Sequence, residues 1–170
     1  MPVEPNPYDR PDLLDLRKNQ GDPIVVYIIV RKSLNMDVGK IAAQVGHGVG
    51  MLMGRYSEFE VVAHQTNLTD EEFPKWRITT EWLATSYRKI ALEANDKDWE
   101  KIKDQVDVFL VKDAGLTEVA SGSETVLVTW PMKKSDAPKI IQRLQTLKTR
   151  LPGVPNGSGS EERSGKSEVD

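Results

Sequence analysis

The sequence predicts a single α/β domain of three layers, α/β/α, built on a four-stranded mixed sheet whose last strand is antiparallel. Three observations carry this reading. Residues 24–30 (Ile-Val-Val-Tyr-Ile-Ile-Val) form an unbroken, β-branched apolar run, the mark of a strand buried on both faces. Helical patterns separate it from later apolar runs, as strands alternating with helices require. The 12 residues from Lys112 to Ser123 carry no helical pattern. A parallel connection needs a crossover, so the strand after them is antiparallel to the strand before.

Taken in order, the first strand leads into a polar turn, Arg31 to Asp37. Asn35 or Asp37 caps a helix that runs to about Tyr56. Ile41, Val45 and Leu52 mark its apolar side, while Lys40, Gln44 and His47 share a polar one at i, i+4 and i+7. Gly46, Gly48, Gly50 and Gly54 each cost such a helix about 1 kcal/mol relative to Ala. Their density suggests close approach by another backbone or a ligand, or tight helix–sheet packing. Ser57 to Leu68 shows no clear period. Thr69-Asp70-Glu71-Glu72 has the capping-box form, with Pro74 shifting the helix start a few residues on. That helix ends near Thr85 and packs through Trp76 and Leu83.

Tyr87 to Glu93 reads as the second strand. Asn95 or Asp96 caps a helix from Lys97 to Gln105, with Trp99 and Ile102 on one face. Val106 to Val111 is the third strand and Glu124 to Trp130 the fourth, stopped by Pro131. Ser135 caps a final helix reaching about Arg150, its apolar face formed by Ile140, Ile141, Leu144 and Leu147. Three regions follow: a proline-rich tail over 1–23, a domain over 24–151, and a Gly/Ser-rich disordered tail over 152–170.

Composition narrows the functions. The 170 residues suit one domain with a real core, and no apolar run is long enough to span a bilayer. The first residues resemble no secretory signal, and the absence of cysteine excludes disulfides, thiolate metal sites and a Cys nucleophile. Both points fit a cytoplasmic setting with no membrane partner. The net charge is −3, yet residues 24–151 hold 18 Lys and Arg against 17 Asp and Glu. A large basic groove is thereby disfavoured, whereas a small phosphate-binding patch is compatible.

Two polar segments begin where apolar strands end: the face bearing Lys40, Gln44 and His47, and the loop opened by Asp113. If the first and third strands run parallel, Lys40 and Asp113 meet at one end of the sheet. Lys40 could neutralise Asp113, bind a phosphate or stabilise an oxyanion. Asp113 could orient a base or a water, Thr117 could donate to or accept from either, and His47 could serve as a general base. Each has a structural counterpart: a turn at Asp113-Ala114-Gly115, a solvated lysine, a packed histidine. Other chemistries lack their residues. Asp37-Val38-Gly39-Lys40 misses the earlier Gly and the Ser/Thr of a P-loop, and His47 and His64 are too few for zinc.

Val30 to Met36, Gly39 to His47 and Lys112 to Leu127 together resemble the signature of the archaeal/eukaryotic-type, or type II, peptidyl-tRNA hydrolases, a likeness covering about residues 24–151. The resemblance implies hydrolysis of the ester between peptide and tRNA, with no metal or organic cofactor. It implicates Lys40, His47, Asp113 and Thr117 in catalysis and Gln44, Gly115 and Ser123 in substrate binding. The partner it implies is peptidyl-tRNA; a homodimer is left open. The sequence departs from the family at Gly46, where a small polar residue is usual, and at Leu116, where an Arg is usual. Glu118 replaces a usual Gln, and Ser121 a common Pro. One cation fewer and one carboxylate more should weaken tRNA binding. The alternative is a tRNA- or protein-binding module of little or no activity on the same fold.

Overall fold

The computed structural model describes residues 21–65, 67–115 and 119–148. The tails expected over 1–23 and 152–170 thus lie almost entirely outside the described residues. Strand β1 (Ile24–Arg31) is followed by a 3-10 turn (Lys32–Leu34) and helix α1 (Val38–Gln65). Helix α2 (Glu72–Ala84), strand β2 (Arg88–Ala94), helix α3 (Asp96–Gln105) and strand β3 (Val108–Lys112) come next. Strand β4 (Glu124–Thr129), the two-residue β5 (Met132–Lys133), short helix α4 (Lys139–Gln142) and two-residue β6 (Gln145–Thr146) complete the order.

The sheet runs β3-β4-β1-β2-β6, with β5 also paired to β1. Parallel pairing joins β1 to β2, whereas β4 is antiparallel to both β1 and β3. Strands β1 and β3 therefore point the same way, and their carboxyl ends share one rim. Successive β1 side chains enter two different cores, because side chains alternate along a strand. Ile24, Val26, Ile28 and Val30 pack with Leu52 and Phe59 of α1 and Trp82 of α2. Val25, Tyr27 and Ile29 pack with Trp99 and Ile102 of α3 and Ile140 and Ile141 of α4. Helices thus cover both faces, and each buried Val, Leu or Ile contributes roughly 1.5–3 kcal/mol relative to exposure. Among the described residues no helix is long and apolar enough to cross a membrane.

Four expectations need correction. Helix α2 starts at Glu72 and not a few residues on: Pro74 lies in its first turn, where the missing N–H would have no intrahelical partner. The sheet has six strands, not four. Both additions are two residues long, too short for an alternating pattern: β5 pairs with the start of β1, and β6 covers the outer edge of β2. An uncovered β2 would expose a row of unpaired backbone groups.

The final helix is not a helix from Ser135. Pro138 holds the residue before it, Ala137, extended (φ −57°, ψ 130°), which splits the segment into a 3-10 turn (Lys134–Asp136) and a four-residue α-helix (Lys139–Gln142). Leu147 then joins the core on the opposite side of the sheet from Ile140 and Ile141, which one helical face could not do.

Helix α1 does not stop near Tyr56 but continues to Gln65. Its second half is held by tertiary contacts. Phe59 stacks on Trp130 at 5.6 Å, Tyr56 and Thr80 share a hydrogen bond, and the Trp76 indole donates to Glu60. Val61 and Val62 face outward, which hid the helical period.

Candidate active site

Glycine lets α1 settle on the sheet where the polar face begins. A Cβ at Gly48 would lie 2.5 Å from Val128 Cγ2 and 3.2 Å from Val111 Cγ2, whereas Gly46, Gly50 and Gly54 look into open space. Only Gly48 is therefore a packing glycine. One turn before it, Gln44 is buried against β3 and β4, and one turn earlier still stands Lys40.

At the carboxyl end of β3, Asp113 receives both residues. The Lys40 ammonium lies 2.5 Å from Oδ1, and Gln44 Nε2 donates to the same oxygen at 2.9 Å. The Gly115 N–H donates to Oδ2 at 2.8 Å. Side-chain exposure is 10% for Lys40 and 6% for Asp113, so the pair is largely withdrawn from water. The Lys40 hydrogen bond, then the Gly115 N–H, the Lys40 charge and Gln44 hold the Asp113 carboxyl below the usual carboxylate range, against the opposing effect of burial.

The loop is fixed through the same residue. The Asp113 N–H donates to the Ser123 carbonyl and its own carbonyl accepts from Gly122 N–H, at 2.9 and 2.7 Å. Gly115 (φ +77°) and Gly122 (φ +81°) take left-handed conformations that a side chain would strain. A Cβ at Gly115 would also meet Ser121 N at 2.4 Å.

Sequence reasoning missed Thr125. Its hydroxyl donates to Gln44 Oε1 at 2.7 Å, with the Val111 carbonyl also in reach at 3.2 Å. Since a carboxylate only accepts, the amide must present its NH₂ to Asp113 and its oxygen to Thr125, which fixes the Gln44 orientation. The available signal was a hydroxyl-bearing residue inside an apolar strand run; the structure shows it fully buried.

The structure thus gathers Lys40, Gln44, Asp113, Gly115 and the Ser123 carbonyl. His47 is exposed on α1 and, among the described residues, makes no hydrogen bond or ion pair with Asp113. Thr117, with Leu116 and Glu118, lies outside the described residues, as does the side chain of His64. A separate groove of about 310 Å³, floored by Phe59, Phe109 and Trp130, lies near the opposite end of β3. Its cations, Arg55 and Lys75, are already paired with acids.

As a carboxylate, Asp113 has about four acceptor positions, three of them filled by Lys40, Gln44 and Gly115. The remaining one, on Oδ2, can accept a hydrogen bond from a water beside a shielded cation. Such an arrangement suits attack by water on a carbonyl.

The family model described as "Peptidyl-tRNA hydrolase PTH2" matches residues 24–147. A Drosophila melanogaster protein named "Probable peptidyl-tRNA hydrolase 2" is 28% identical over 75% of this chain and 63% of its own length. A Methanopyrus kandleri "Peptidyl-tRNA hydrolase" is 30% identical over 71% of this chain and 96% of its own length. A Saccharomyces cerevisiae "Peptidyl-tRNA hydrolase 2" is 32% identical over 64% of the chain and 50% of its own length. The chain therefore spans less than two thirds of these two eukaryotic relatives and nearly all of the archaeal one.

Proposed function

This chain belongs to the peptidyl-tRNA hydrolase PTH2 family, and we propose that it hydrolyses the ester joining a peptide to the 3′ ribose of tRNA. The observation that carries the reading is the buried meeting of Lys40, Gln44 and Asp113, brought together from α1 and the end of β3. The catalytic domain is residues 24–151, flanked by tails. Asp113 accepts a hydrogen bond from the attacking water through Oδ2, with Thr117 or His47 as its partner in orienting that water. Lys40 stabilises the charge that develops on the ester oxygen. A bond forms between the water oxygen and the ester carbon, and the bond to the ribose 3′ oxygen breaks. The ribose oxygen takes a proton, releasing free tRNA and a peptide carboxylic acid.

A carboxyl held below its usual range is a weak base, so Asp113 orients water more than it removes a proton. The chemistry takes place in a cytoplasmic setting. The test is peptide release from peptidyl-tRNA by the purified protein, compared with Asp113→Asn and Lys40→Ala. A wild type no faster than both variants refutes the hydrolase reading, and tRNA binding without turnover would then identify a binding module.

A further inference from the structure

Strand β4 breaks the alternation of its side chains at one place, and that place faces the site. Val126 and Val128 lie in the α1-side core and Leu127 in the α3-side core. Continued backward, this alternation would turn Thr125 toward α3. The register shifts there instead: Val111 pairs with Val126 and Lys112 with Glu124, so Thr125 is an extra residue with no counterpart on β3. A bulge re-aims a side chain. The Thr125 hydroxyl accordingly reaches the α1 side, where it donates to Gln44 Oε1.

The residue before the bulge is pinned to the opposite face. Glu124 Oε2 accepts from the Trp99 indole at 3.2 Å and from the Lys103 ammonium at 2.6 Å. Both donors stand on α3, about one helical turn apart, and Trp99 is fully buried in the α3-side core. The Lys103 hydrogen bond, then the Trp99 indole and the Lys103 and Lys112 charges, hold the Glu124 carboxyl below the usual carboxylate range, against the effect of burial. The anchor therefore stays charged at neutral pH. Helix α3 holds the bulge from one side of the sheet, and α1 uses it on the other.

Building on the hydrolase reading above, we propose that Glu124 is a positioning residue for hydrolysis: by fastening β4 to α3 it aims Thr125 at Gln44, and so sets the amide that donates to Asp113. Glu124 faces α3, away from the water and the ester, and acts only through Thr125. A strand end released from α3 can take the extra residue into regular pairing, which turns Thr125 to the other face. Gln44 would then lose the donor that orients its amide, and Asp113 would lose a fixed partner on Oδ1.

The test measures peptide release by the wild type, Glu124→Ala, Glu124→Gln and Glu100→Gln, and repeats Glu124→Ala in a Thr125→Val background. Glu100 also pairs with Lys103, at 3.1 Å, but belongs to α3 itself, so its loss leaves β4 attached. For Glu124→Ala we expect kcat about tenfold lower and KM within about twofold of the wild type, as for a misplacement remote from the chemistry. Glu124→Gln keeps an acceptor for the indole and should lie between the two, while Glu100→Gln should match the wild type. In the Thr125→Val background, Glu124→Ala should lower kcat less than about twofold, because both changes break one path. In NMR spectra the Gln44 side-chain amide should shift in the Glu124 variants and stay in place in Glu100→Gln. An unchanged kcat or Gln44 amide in the Glu124 variants, an equal loss in Glu100→Gln, or an undiminished loss in the Thr125→Val background overturns the proposal. Glu124→Gln, which keeps the side chain's shape, decides the matter where Glu124→Ala does not fold. A wild type that releases no peptide refutes the hydrolase reading separately, while the Gln44 amide still decides whether Glu124 sets it.

Discussion

Lys40 and Asp113, 73 residues apart in sequence, meet at 2.5 Å with little exposure of either side chain. The meeting depends on β1 and β3 pointing the same way although β4 lies between them. It is the contact from which most of the expected mutant behaviour derives.

Replacing Asp113 with Asn keeps its volume but removes the charge opposite Lys40 and one acceptor site. Peptide release in single-turnover assays should fall by about 10²-fold or more, within the range for a positioned acid–base group. Lys40→Ala should lose a comparable factor. Retention of more than about a tenth of wild-type activity by Asp113→Asn would remove this residue from the mechanism.

The pH response follows from the direction of the Asp113 shift. A carboxyl held low in the folded protein adds stability that is complete above its unfolded pKa, about 3.9. That stability is lost as pH falls through the lower folded value. Protonation of Asp113 should therefore not limit activity at mildly acidic pH. In Lys40→Met, which removes the largest lowering influence, the Asp113 resonance in a carboxyl-detected NMR titration should move to higher pH. No movement would mean that the ammonium does not govern the carboxylate.

Thr125→Val keeps the shape of the side chain but leaves the Gln44 carbonyl oxygen without its 2.7 Å donor. Chemical denaturation should show a loss of about 1–3 kcal/mol, the usual cost of a buried unsatisfied acceptor. Thr125→Ser should recover most of it. Equal stability of the Val variant and the wild type would show that the hydroxyl does not set the amide.

The glycines of α1 should respond with opposite signs. Gly48→Ala forces a methyl into Val128 and should cost about 1–3 kcal/mol. Gly46→Ala, Gly50→Ala and Gly54→Ala meet nothing within 4 Å and should each stabilise by up to about 1 kcal/mol. Thermal unfolding of the four variants gives the comparison, and a stabilised Gly48→Ala would contradict the close helix–sheet contact.

Strands β1, β3 and β4 were legible as apolar runs and β2 as a short apolar stretch, Ile90 to Leu92, between two helical patterns, and the β3–β4 direction followed from a loop too plain to hold a crossover. The capping box was legible too: Glu72 N–H donates to Thr69 Oγ1 while the Glu72 carboxylate accepts from Thr69. What escaped depends on partners distant in sequence. Phe59 extends α1 because Trp130 lies beneath it, and Gln145–Thr146 are a strand because β2 needs a neighbour. In the site, helical spacing placed Lys40 and Gln44 on one face, but nothing local joined Gln44 to Thr125 across 81 residues. Spacing also grouped His47 with them; it is exposed one turn on and, among the described residues, makes no hydrogen bond to Asp113.

Asp113 holds its loop shut with its backbone and meets α1 with its carboxylate. A chemical perturbation at this residue is consequently also a mechanical one, since slackening the loop would unseat the acid, and neutralising the acid would loosen the loop's hold on the helix. Reactivity and rigidity here are a single inherited trait, and neither can be tuned while the other stays still.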